Sequence, residues 1–130
     1  MNTDALSHSR SISWFTLIGA LAAAVHYVVA VSLEAGLGLA PAWANPCGFL
    51  LAFPVSYIGH RKFSFAAQKA SHQQAFPRFL LVACGGFLAN QLLLLSALRL
   101  FPLPFWLTLG VVMVVVAVTT YMLSRYWAFK

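Results

Sequence analysis

Four long apolar stretches, separated by short polar or proline-containing intervals, set the pattern along this 130-residue chain. They run Ile12–Leu33, Ala42–Gly59, Phe79–Leu98 and Pro104–Leu123, near the ~20 residues that a ~30 Å hydrocarbon core asks of a helix. Leu92–Leu95 and Val111–Val116 show no polar–apolar alternation, which argues against barrel strands. A helix is then the backbone that satisfies its own hydrogen bonds in lipid. Residues 1–11 are polar and read as a short flexible cytoplasmic tail. Glu34–Pro41 is a tight Gly-rich loop, and 66–77 is the largest polar segment, a loop or an interfacial turn of helix. Pro102 and Pro104 close the third stretch and open the fourth, while Pro54 predicts a kink within the second. The expected fold is an all-α membrane protein, with four transmembrane helices forming a single domain over 12–130.

The pattern repeats. A constant offset of 64 positions lays 15–65 onto 79–129 without a gap, matching Phe15 with Phe79, Leu17 with Leu81, Ser32 with Ser96, Tyr57 with Tyr121, Arg61 with Arg125 and Phe65 with Phe129. Apolar matches alone would carry little weight. The shared Tyr-x3-Arg-x-aromatic-x-Phe ending carries more, and predicts two duplicated two-helix units, a recurrent plan among transporters. Because two helices return the chain to its starting face, the units are expected to share one orientation, related by a pseudo-two-fold along the membrane normal.

Composition agrees with a membrane setting. Hydrophobic residues make up 62% of the chain and charged residues 8%, against about a quarter charged in soluble domains. Seven of the eight Lys and Arg residues (Arg10, Arg61, Lys62, Lys69, Arg78, Arg125 and Lys130) fall on one side of a four-span path, with Arg99 opposite. By the positive-inside rule both termini are cytoplasmic, which places the chain in the cytoplasmic membrane. No soluble basic domain exists to carry the net charge of +6 onto nucleic acid. Trp14 and Trp127 would mark the inner interface, and Trp43 and Trp106 the outer one. Ala40-Pro41-Ala42 resembles a cleavage site, but the first apolar stretch is too long for a signal sequence and pairs with the third, so it reads as a retained helix. Cys47 and Cys84 differ too much in depth to form a disulfide within one subunit.

Candidate chemistry is confined to two levels. At the inner boundary, His60, Arg61 and Lys62 end the second helix and Arg125 ends the fourth. An arginine there presents a planar fork of donors suited to phosphate, yet basic and aromatic residues also simply fix helix depth. Deeper in, His26 and Tyr27 occupy the same repeat positions as Asn90 and Gln91, about twelve residues from the cytoplasmic surface. Such polar groups are costly unless they face the bundle interior. They read either as interhelical glue or as a polar path for a headgroup. Asp4 and Glu34 are the two carboxylates, too few to assemble a metal-dependent hydrolytic or transfer centre. No enzyme activity and no cofactor or metal is expected.

These residues resemble the GtrA-like family, small four-helix proteins associated with translocating polyprenyl-phosphate-linked sugars. The similarity lies in Phe15-x-x-Ile18-Gly19, in Arg78-Phe79-x-x-Val82 with Gly85-Gly86, in Asn90, and in Arg125-Tyr126-Trp127-Ala128-Phe129. His60-Arg61-Lys62-Phe63-Ser64-Phe65 resembles the family's Asn-Arg-x-aromatic-x-Phe, with His60 in place of Asn. The resemblance implies flipping of a polyprenyl-phosphate (undecaprenyl-phosphate) monosaccharide for cell-surface polysaccharide. Arg61 and Arg125 would then hold the phosphate, aided by His60, Lys62 and Arg78. Tyr57 and Tyr121 would donate to phosphate or sugar, and His26, Tyr27, Asn90 and Gln91 would line the path. Related domains accompany polyprenyl-phosphate glycosyltransferases, so a membrane partner that anchors such an enzyme or presents its lipid is the alternative. A small multidrug exporter would need a carboxylate within the first helix, which is absent. Four helices enclose little volume, so a homo-oligomer with a path between subunits is one way to build a route.

Overall fold

The computed structural model describes residues 3–64 and 71–123. Among them are four α-helices and one π-helical turn: α1 (Thr3–Leu37), α2 (Pro41–Gly59), the π turn (His60–Ser64), α3 (His72–Leu100) and α4 (Phe105–Leu123). At 1.5 Å per residue, α1 and α3 are about 52 and 43 Å long. Both are long and apolar enough to cross a membrane, and Phe105–Thr120 is a shorter apolar helix.

Local signals set the helix ends. Gly38 takes a left-handed φ of 67°, which costs glycine nothing, and the Gly38 and Leu39 N–H groups donate to the carbonyls of Glu34 and Leu33. Pro41 occupies the first turn of α2, where its missing N–H is no loss. The Thr108 hydroxyl and backbone N–H both donate to the Pro104 carbonyl, closing the start of α4.

Three intervals differ from the sequence expectation. The loop expected over Glu34–Pro41 shortens to Gly38–Ala40, because α1 runs to Leu37 and α2 starts at Pro41. The stretch read as a flexible tail continues α1 back to Thr3; Ser7, Ser13 and Thr16 turn their hydroxyls onto carbonyls three or four residues earlier instead of competing for the backbone elsewhere. The 66–77 segment gives way at Ser71 to a capping box, in which Gln74 N–H donates to Ser71 Oγ and Ser71 N–H to Gln74 Oε1. Those two bonds satisfy orphan donors and start α3 seven residues before Phe79, with Pro77 inside it.

The helices run alternately up and down. α1 meets α2 along a stripe of Ile18, Ala22, His26 and Ala30, packed against Ala44, Gly48, Ala52 and Gly59. A Cβ placed on Gly48 would lie 2.6 Å from the His26 carbonyl oxygen, and one on Gly59 would lie 2.7 Å from Ile18. This is small-residue packing that lets two backbones touch. The largest buried cluster joins all four helices through Ala30, Ala44, Leu94, Phe105, Leu109 and Val112. It lies towards the end bearing Glu34 and Arg99, opposite the end bearing Arg61 and Arg78.

The offset of 64 recurs in the packing. α2 and α4 begin at Pro41 and Phe105. Buried His26, Ala30, Ala44, Asn45 and Gly48 are followed 64 residues on by buried Asn90, Leu94, Thr108, Leu109 and Val112. The correspondence stops halfway along: Ile18 is 6% exposed, whereas Val82 is 75% exposed.

Candidate functional site

A hydrogen-bonded knot ties α1, α2 and α3 together, and its polarity can be worked out bond by bond. Gln91 Nε2 donates to the Ala42 carbonyl at 3.0 Å, and since a carbonyl only accepts, the Gln91 Oε1 end must face inward. There it accepts from Asn45 Nδ2 at 2.8 Å. The same Asn45 nitrogen gives a second bond to Asn90 Oδ1 at 2.8 Å. Asn45 Oδ1 is thereby left facing His26 Nε2 at 2.7 Å, so Nε2 carries the proton and donates. Asn45 is the hub, about 6 Å inside the start of α2. It is wholly buried, and the sequence reading passed over it. Its only advertisement was an amide within an apolar stretch, which is itself a reason to look.

Of the four residues expected to form an intramembrane polar path, His26, Asn90 and Gln91 meet in this knot. Tyr27 does not. Its hydroxyl donates to the Trp106 carbonyl at 2.9 Å, in the first turn of α4, so it fastens α1 to α4 instead. Among the described residues no buried side-chain nitrogen or oxygen lacks a partner.

On the side of the knot towards Arg61 lies a cavity of about 230 Å³. His26 and Asn90 form part of its wall, together with Ala22, Ala52 and Ser56, and with Ala83, Gly86, Met113 and Val116 of the second hairpin. Phe49 and Phe87 also line it, stacked with centroids 4.5 Å apart and planes 18° from parallel. From there a run of rings descends towards the basic end: Phe49 to Phe53, then Phe53 and Tyr57 against Phe76 and Phe79, then Phe79 to His60.

At the foot of that run the backbone widens into the π turn His60–Ser64. Insertions of this kind interrupt α-helices and often accompany function. His60 is buried and stacks on Phe15 at 4.7 Å, while Phe63 stacks on Trp14 at 4.7 Å. Burial holds the His60 imidazole below its ordinary pKa, disfavouring its charged form. Arg61 is half-buried, and Lys62 and Arg78 are exposed at the same end. The expected phosphate cluster is therefore described only in its first half. Arg125 and the Tyr121 side chain lie outside the described residues, and Tyr57 is engaged in the ring cluster. Cys47 and Cys84 are free thiols. No group of three or more His, Cys, Asp or Glu side chains converges among the described residues.

An all-helical bundle with long apolar helices, small-residue packing and a polar knot within it belongs to a membrane. Residues 14–129 match the family described as GtrA/DPMS, transmembrane domain. The chain belongs to that family, which makes it a membrane protein with a role related to polyprenyl-phosphate-linked sugars. No curated protein and no solved structure matches the chain significantly.

Proposed function

We propose that the chain handles a polyprenyl-phosphate-linked monosaccharide at the cytoplasmic face of the cytoplasmic membrane and passes it to the opposite face. In this reading four helices span, both termini are cytoplasmic, and the two hairpins are related by a pseudo-two-fold along the membrane normal. The observation that carries it is the line from the half-buried Arg61 in the π turn, up the ring cluster, to a cavity walled by His26 and Asn90. Arg61, with Arg125 as its repeat partner, would hold the phosphate through a charge-assisted fork. Lys62 and Arg78 would add charge at the entrance, and Tyr57 would border the route.

One observation favours a second reading. The knot joins three helices by bonds in which Asn45 uses its full amide, so beyond His26 and Asn90 the way to the far end is tied shut in this conformation. A protein that presents the lipid to a partner glycosyltransferase needs no such passage. Purified protein in liposomes separates the two: a translocase moves a fluorescent polyprenyl-phosphate sugar between leaflets unaided. A presenting protein binds that lipid but leaves its leaflet distribution as in protein-free liposomes.

A further inference from the structure

We infer that the cavity beside the knot is a binding site for a neutral ring bearing acceptor oxygens, with the Asn90 amide nitrogen as donor and Phe49 and Phe87 as its aromatic wall. The inference deepens the lipid-linked-sugar reading and rests on it only for identifying that ring as a sugar.

The donor follows from the bond chain. Asn90 Oδ1 is taken by Asn45, and the Asn90 amide nitrogen donates to no described residue. Asn90 is 6% exposed, yet among the described residues no wholly buried side-chain nitrogen or oxygen is without a partner. Its Nδ2 therefore stands open to the cavity that Asn90 lines. An amide donor that faces an apolar-walled cavity gains a bond when a ligand brings an acceptor. His26 lines the same wall, and with its proton on Nε2 its other ring nitrogen is an acceptor.

Charge decides which part of a ligand fits. Among the described residues no Lys, Arg, Asp or Glu lines the cavity, and an anion brought there would lack a counter-charge from them, a large cost. A phosphate is thus held outside, where Arg61 and Lys62 lie. Ser56, at the lower edge of the cavity, is five residues from Arg61, roughly 7 Å along the helix. That spacing suits two groups joined directly. Size narrows the choice further. A space of about 230 Å³ is below the ~300–1,000 Å³ of drug-sized pockets, and suits one ring. Ala22, Ala52, Ala83 and Gly86 leave room for it, while stacked Phe49 and Phe87 supply the apolar surface.

The test uses the full chain in phosphatidylcholine nanodiscs, with thermal denaturation followed during titration of four probes. These are octyl β-glucoside and octyl β-galactoside below their micelle concentrations, octanol, and citronellyl phosphate. At least one glycoside should raise the melting temperature saturably where octanol does not. Asn90→Leu should weaken its half-saturation about fivefold or more, the factor that loss of one hydrogen bond gives. Gly86→Leu places its side chain where nothing lies within 4 Å of the Cβ, and should abolish the glycoside response. Neither variant should alter the citronellyl phosphate response. Glycosides that behave like octanol, or a glycoside response untouched by Gly86→Leu, would overturn the inference. Should Asn90→Leu fail to fold, Gly86→Leu decides alone. Glycoside binding without any citronellyl phosphate binding would instead sink the lipid-phosphate reading and leave the ring site standing.

Discussion

The two hairpins are alike at one end and unlike at the other, and a few side chains account for the difference. Towards the Glu34 end, five buried positions of α1–α2 recur at the offset of 64 in α3–α4. Towards the Arg61 end, the first hairpin stays closed as far as Gly59, which lets α1 and α2 touch at Ile18. The counterpart of Gly48 is Val112, whose branched side chain does not admit so close a contact. Ala22, buried, corresponds to Gly86, exposed on the cavity wall. The second hairpin opens where the first is zipped, and the cavity lies against that opening. At the offset of 64 the buried junction matches, while small-residue positions such as Gly48 and Gly59 do not.

Copying the second hairpin into the first should therefore break the fold where it is tightest. In Gly48→Val the new Cβ would meet the His26 carbonyl oxygen at 2.6 Å and His26 Cδ2 at 2.8 Å, so backbone as well as side chain must move. Overpacking of this kind costs about 1–3 kcal/mol and occasionally more, and here it also displaces a member of the knot. We expect the largest loss of stability from this variant, read as denaturant midpoint in mixed micelles. An unchanged midpoint would mean that the close contact does not hold the hairpin.

Next in size is Asn45→Leu, which installs the residue that Leu109 supplies at the matching site. It strips partners from His26 Nε2, Asn90 Oδ1 and Gln91 Oε1. Interhelical hydrogen bonds in membranes average ~0.6 kcal/mol and reach ~1.7, so the three together should cost roughly 2 kcal/mol. Adding His26→Leu, which removes one stranded donor, should recover part of that loss. Strictly additive losses in the double variant would show that the two side chains are not coupled.

How much of this could be read from the chain divides along the same line. Helix content was legible because apolar runs are local patterns. His26 and Asn90 stood out as equivalent polar positions. Asn45 did not, because its repeat partner is Leu109 and it sits beside Trp43 and Pro46, where it reads as interface. Its importance arises only when α3 brings Asn90 and Gln91 alongside. The capping box at Ser71 and Gln74 was present in the residues, yet the polarity of that stretch masked it. The π turn depends on rings from α1 and α3 closing over His60 and Phe63, which no local pattern reports.

The arginines compare the two units directly. If Arg61 and Arg125 grip a phosphate, Arg61→Ala and Arg125→Ala should each weaken binding of a polyprenyl phosphate by ~1.5–3 kcal/mol, the worth of a hydrogen bond to a charged group. Arg→Lys at either site keeps the charge but loses the fork, so translocation should fall while membrane levels hold. Wild-type behaviour of both Lys variants would reduce the pair to depth anchors. A loss confined to Arg61→Lys would extend the asymmetry of the hairpins to their basic ends.

The smallest effect expected is a pH dependence belonging to the first unit alone, since Ser124 stands where the second would have His60. Burial lowers the His60 pKa below its ordinary value of 6.5. Between that lowered value and 6.5 the unfolded chain binds more protons than the folded one, so stability falls as pH drops through this window. Above 6.5 both states are neutral at this site and the contribution is complete. His60→Asn removes the titration while keeping a polar side chain of similar reach. The melting temperature of wild type minus that of His60→Asn in nanodiscs should therefore be smaller at pH 5 than at pH 7.5. The shift should be modest, because one group supplies it. A separation that is the same at pH 7.5 and pH 5 would mean that His60 is protonated as easily in the fold as outside it, and that the ring cluster does not shield the foot of α2.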